Sequence, residues 1–102
     1  MQANYKFASK MANNRNIVQI PALVDLHVHF REPGFSYKET IASGSMAAAA
    51  SGYSAVFTMP NLNPVPDTVA HLQEQLDIIK RDTYTGVYPF ASITMGQKGA
   101  GE

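Results

Sequence analysis

Ala22-Leu23-Val24-Asp25-Leu26-His27-Val28-His29-Phe30-Arg31-Glu32-Pro33-Gly34 carries a run of apolar residues straight into a Pro-Gly loop. The opening Ala22-Leu23-Val24 is continuous rather than alternating, the pattern of a strand covered on both faces. A first strand is therefore predicted over residues 22–27 or 22–29. Side chains two apart on a strand share a face, so Asp25, His27 and His29 are expected on one side. The Cα atoms of His27 and His29 would lie ~6.5 Å apart, close enough for both imidazoles to reach one metal.

Working outward, Pro33-Gly34 marks a loop. A helix is predicted over residues 38–51, stopped by Gly52. Its small residues, Ala47 to Ala50 among them, suit close packing on a sheet. Residues 54–59 read as a second apolar strand. The next loop carries Pro60, Pro64 and Pro66 with Asn61 and Asn63. Asp67 or Thr68 can cap the following helix. That helix shows Val69, Leu72, Leu76 and Ile79 at spacings of three and four, predicting a core-facing stripe. A third strand is predicted over residues 87–94, although Pro89 argues against a regular central strand. Residues 1–20 read as a polar leader in which Ile17-Val18-Gln19-Ile20 could form a short strand.

The order is thus βαβαβ over residues 21–102. Val24, Val56 and Val87 mark the strands at intervals of 32 and 31 residues. Such regularity suits parallel βαβ units with right-handed crossovers. A (β/α)8 barrel repeats this way but needs ~250 residues; a doubly wound sheet fits the spacing equally. In both, ligands bind beyond the carboxyl ends of the strands. His27, His29, Arg31 and Asn61 would share that rim.

Composition narrows the chemistry. The 102 residues are 45% hydrophobic and 16% charged, as in an ordinary globular segment. Eight basic residues balance eight acidic ones, which gives no electrostatic footprint for nucleic acid or anionic lipid. Without cysteine there is neither a disulfide framework nor a thiolate metal site, so imidazole and oxygen must hold any metal. Residues 46–59 are too short to span a bilayer, and a cytoplasmic location is the expectation. Each singled-out residue has a plainer alternative. The histidines could be hydrogen-bonded interior residues, Arg31 a surface ion pair with Glu32 or Glu39, and Asn61 a turn residue. Asp25 reads as a structural hydrogen-bonder. His71 reads as an exposed helix residue away from the rim, and Lys98 as part of a loop beyond the third strand.

His27-Val28-His29-Phe30-Arg31-Glu32-Pro33-Gly34 together with Met59-Pro60-Asn61 resembles the dihydroorotases of the amidohydrolase superfamily. The resemblance covers residues 21–102. It implies a metal-dependent (β/α)8 barrel that interconverts dihydroorotate and N-carbamoyl-L-aspartate in pyrimidine biosynthesis. It implies zinc, commonly two ions bridged by a hydroxide and a carboxylated lysine. By position, His27 and His29 would ligate the more buried metal, and Arg31 and Asn61 would hold the substrate carboxylate. The family's remaining ligands and its proton-shuttling aspartate come from later strands, so these residues are expected to form the opening portion of an enzyme and to be inactive alone. Two alternatives stand beside this reading. One is another cyclic amidohydrolase, such as an allantoinase or hydantoinase. The other is a non-catalytic half-barrel that pairs with another chain or with itself, since open sheet edges seek partners. The expected partners are a small-molecule substrate and the rest of a barrel, with neither nucleic acid nor membrane; a homo-oligomer is expected.

Overall fold

The computed structural model describes residues 17–100. Within them, β1 (Leu23–Val28), α1 (Ile41–Ala50), β2 (Tyr53–Thr58), α2 (Val69–Asp82) and β3 (Gly86–Pro89) alternate, followed by a 3-10 turn at Met95–Gln97. The strands form one parallel sheet in the order β1-β2-β3. Residues 17–20 are irregular and exposed, not a strand. Residues 1–16 of the predicted leader lie outside the described residues.

α1 starts at Ile41 rather than at residue 38 because Thr40 is the effective cap. Its hydroxyl accepts from the Ser43 amide at 3.0 Å, and Ser43 Oγ accepts from the Thr40 amide at 3.2 Å. Glu32 Oε2 accepts from the Ile41 amide at 2.9 Å, satisfying another donor that the first helical turn leaves open. The helix closes at Ser51, and Gly52 follows in the left-handed conformation (φ 89°), as its position predicts. Small residues let α1 settle on the sheet. A Cβ on Gly44 would lie 2.5 Å from the Phe30 ring, so only glycine allows this approach.

The core is a single cluster of Phe30, Ile41, Val56 and Val87, with Val28, Ala48, Tyr53, Ile78 and Ile79 packed against it. Residues from both helices join this cluster and the helices touch each other, so both cover the same face of the sheet. The predicted stripe on α2 is only partly right. Ile79 packs on the core, but Val69 is 86% exposed and Leu76 lies at the surface. The inward position between them belongs to Gln75, which is fully enclosed and donates to Thr58 Oγ1 at 3.3 Å. A polar residue thus sits at the centre of the buried face, and an apolar pattern cannot register it.

β3 is shorter than predicted and ends at Pro89. The Phe90 amide donates to the Thr58 carbonyl at 3.0 Å. Donors of successive residues point to opposite sides, so the Pro89 nitrogen faces away from β2 and the β2–β3 ladder loses no donor. The second departure concerns coverage. Val24 and Leu26 are 53% and 63% exposed, so among the described residues β1 is covered on its helix side alone. Phe57 stacks on Tyr88, with ring centroids 5.3 Å apart, and lies tilted against Phe90 at 5.6 Å.

Candidate functional site

A bulge in β1 decides which side chains face the site. Asp25 pairs with Val56 and Val28 with Thr58, so two residues of β1 (Leu26 and His27) oppose Phe57 alone. The extra residue switches the alternation. Asp25 lines a cleft of about 240 Å³ beneath α1 with Val28 and Phe30, on the helix side. His27 and His29, alternating with Val28 and Phe30, point to the opposite, open side. The expectation that Asp25 shares their face is therefore corrected. Its carboxylate instead accepts from the His27 amide at 3.0 Å, bracing the bulge.

The two imidazoles meet at the carboxyl end of β1. Their Nε2 atoms are 3.3 Å apart and the rings lie edge to face at 62°. Two nitrogens bound to one tetrahedral zinc at ~2.0–2.1 Å would be separated by ~3.3 Å, so the donor pair fits that group. Asn61 lies just past β2, and its Oδ1 is 3.0 Å from His29 Nδ1. An amide oxygen only accepts, so Nδ1 carries the proton and Nε2 keeps its lone pair for a ligand-binding role. The Asn61 Nδ2 group remains available as a donor. Among the described residues, no group of three or more His, Cys, Asp or Glu side chains gathers into a fuller metal site.

Arg31 follows two residues after His29, in the loop between β1 and α1. Its two nearest candidates for ion pairing are occupied: Glu32 caps α1, and Glu39 accepts from the Ser43 hydroxyl. Among the described residues, Arg31 has no ion-pair partner. The Arg31 loop and the Asn61 loop are stitched together. The Asn63 amide donates to the Pro33 carbonyl at 3.3 Å. Gly34, at φ 98°, leaves no room for a Cβ against Asn63, whose carbonyl oxygen would lie 2.3 Å from it. The structure thus joins His27, His29 and Asn61 by direct contacts and brings in Arg31 through its loop.

His71 is on α2 with its side chain 43% exposed, as expected, but it is tied to the loop before the helix rather than standing away from the rim. Its Nδ1 lies 2.7 Å from Asp67 Oδ1 and 3.1 Å from the Val65 carbonyl. It sits in the first turn of α2, at the same end of the sheet as Asn61. Because Thr68 caps α2, the Asp67 carboxylate is free for other partners. Its second oxygen accepts from the Gly96 amide at 2.7 Å. That backbone bond, and secondarily His71, hold the Asp67 carboxyl below the usual carboxylate range. The i, i+4 spacing of Asp67 and His71 was the available signal for this pair; no sequence pattern pointed to Gly96. Lys98 lies in the loop beyond β3, as predicted, in the turn that follows Met95.

Comparison with known proteins supplies the family. The family model described as dihydro-orotase-like matches residues 16–102. The chain belongs to this dihydroorotase-like family. Among curated relatives, the dihydroorotase of Enterococcus faecalis is 60% identical over 74 residues, covering 72% of this chain and 17% of that protein. The dihydroorotase of Fusobacterium nucleatum is 54% identical over 76 residues, covering 74% and 18%. That of Geobacillus thermodenitrificans is 44% identical over 94 residues, covering 86% and 22%. This dihydroorotase-like chain therefore spans about a fifth of the length of these relatives.

Proposed function

We propose that this chain is the metal-binding opening segment of a dihydroorotase, a (β/α)8-barrel enzyme that interconverts dihydroorotate and N-carbamoyl-L-aspartate in pyrimidine biosynthesis. The observation that carries the reading is the preset histidine pair, 3.3 Å apart, with His29 oriented by Asn61 at the mouth of a parallel sheet. Relatives named dihydroorotase support the substrate. The barrel is supported by sequential strands with both helices on one face, which leaves the opposite face to become an interior.

His27 and His29 would hold zinc through Nε2. Zinc bound there supplies Lewis acidity and a hydroxide-strength nucleophile at neutral pH. Asn61 keeps the His29 ring in its ligating tautomer and offers Nδ2 to the substrate carboxylate. Arg31, paired with neither Glu32 nor Glu39, offers a planar fork that matches a carboxylate in two parallel hydrogen bonds. The remaining metal ligands and the proton carrier would come from later strands of the longer protein.

The test is hydrolysis by the intact protein that contains this chain, offered dihydroorotate, allantoin and a hydantoin in parallel. Turnover of dihydroorotate, abolished by chelation and restored by zinc, supports the proposal. Turnover of allantoin or the hydantoin alone would move the chain to another cyclic amidohydrolase.

A further inference from the structure

Asp67 and His71 lie outside the histidine pair, yet they connect more of the rim than any other side chains described. The Asp67 carboxylate reaches three segments at once. It belongs to the β2–α2 loop, it contacts His71 Nδ1 in the first turn of α2, and it accepts from Gly96 in the loop beyond β3. A backbone bond next to it, Ser92 amide to Pro66 carbonyl at 2.9 Å, joins the same two loops. The Asp67 side chain is only 9% exposed, so water competes poorly for these bonds.

The segment that Asp67 grips is strained. Gly96 and Gln97 both stand at φ 59°. For Gln97 this is the left-handed conformation that a side chain disfavours, and such a turn persists when its surroundings hold it. The Gly96 amide is one of those holds. At its other end, the β2–α2 loop is fastened by Asn63 to Pro33 and Gly34. Asn61 lies in the same loop just ahead of both fastenings, two residues before Asn63.

We propose that Asp67, held by His71, is a positioning residue. It latches the loop beyond β3 to the β2–α2 loop and so fixes Asn61 against His29 and the substrate. Only the substrate end of this inference rests on the dihydroorotase reading. Asp67 acts through the loop and touches no reacting atom.

The test uses the intact protein in four forms: wild type, Asp67→Ala, the milder Asp67→Asn, and His71→Asn, which keeps a donor near the Nδ1 position. Hydrogen exchange is followed by mass spectrometry in peptides covering residues 59–66 and 93–99. In Asp67→Ala both peptides should exchange at least about tenfold faster, while β2 is unchanged. The KM for dihydroorotate should rise about tenfold with kcat within about twofold and zinc content intact. Asp67→Asn should show a smaller change in the same direction, and His71→Asn should stay near wild type. If Asp67→Ala does not fold, Asp67→Asn decides the question by the same readouts. Unchanged exchange in both Asp67 variants overturns the latch, and faster exchange at residues 93–99 with KM unchanged overturns the positioning role. A wild-type protein without dihydroorotate turnover removes the functional reading instead, and exchange at residues 59–66 then decides the latch on its own.

Discussion

His29 uses its two ring nitrogens for different tasks. Nδ1 is committed to Asn61, while Nε2 faces the Nε2 of His27. Removing such an orienting partner typically costs 10–100-fold in metal affinity or activity. Arg31 faces a different demand, since its acidic neighbours bind elsewhere and leave the guanidinium free. Lysine in its place keeps the charge but loses the paired geometry. Arg31→Lys should raise the KM for dihydroorotate roughly tenfold, equal to about 1.4 kcal/mol of lost carboxylate recognition, with zinc content unchanged. Steady-state kinetics with metal analysis checks both halves. The meeting of His27, His29 and Asn61 at one rim could be anticipated from their types and spacing. The facing of Asp25 could not, because a bulge is an added residue in one strand relative to its neighbour and single-strand alternation runs through it unmarked.

At the scale of elements, α1 depends on the absence of a side chain at Gly44. Glycine inside a helix costs about 0.5–1 kcal/mol relative to alanine, so Gly44→Ala would be favoured by propensity alone. The Cβ would however meet Phe30 at 2.5 Å, and overpacking of this kind costs typically 1–3 kcal/mol. Overpacking wins: Gly44→Ala should lower stability, and Gly44→Val should lower it further, in denaturant titration of the intact protein. The loop beyond β3 has a pH-linked tie. The Asp67 carboxyl is depressed in the folded chain, so its stabilising effect is complete above its unfolded pKa of ~3.9 and is lost as pH falls through the lower folded value. Exchange at Gly96 should therefore be protected at neutral pH and released in acid, and Asp67→Asn should flatten that dependence. Strand and helix order was legible because apolar runs, Gly52 and the Thr68 cap are local signals. The buried face of α2 was less so, because Gln75 occupies its centre and meets Thr58, a partner 17 residues away.

At the scale of the whole molecule, the sheet keeps one face for its helices and presents the other. Val24, Leu26, Tyr88 and Phe90 are 43–63% exposed, although the apolar run opening β1 has the pattern of a strand covered on both sides. In a barrel that face becomes the interior, and the relatives have about five times the matched length in which to build one. The 102 residues expressed alone should therefore associate, since open strand edges and contiguous apolar surface both favour it. Sedimentation velocity should show oligomers or aggregate, whereas the intact protein should give a discrete species. Which residues would complete the metal site was not legible here, because partners from later strands leave no trace in the spacing of earlier ones.

The account turns on two imidazoles gripping one ion. X-ray absorption at the zinc edge, recorded on the intact protein and on a His27→Ala, His29→Ala double variant, measures this directly. The wild type should show imidazole scattering with nitrogen at ~2.0–2.1 Å, and the double variant should lose the metal or that imidazole signal. Full zinc occupancy with an unchanged spectrum in the double variant would contradict the account.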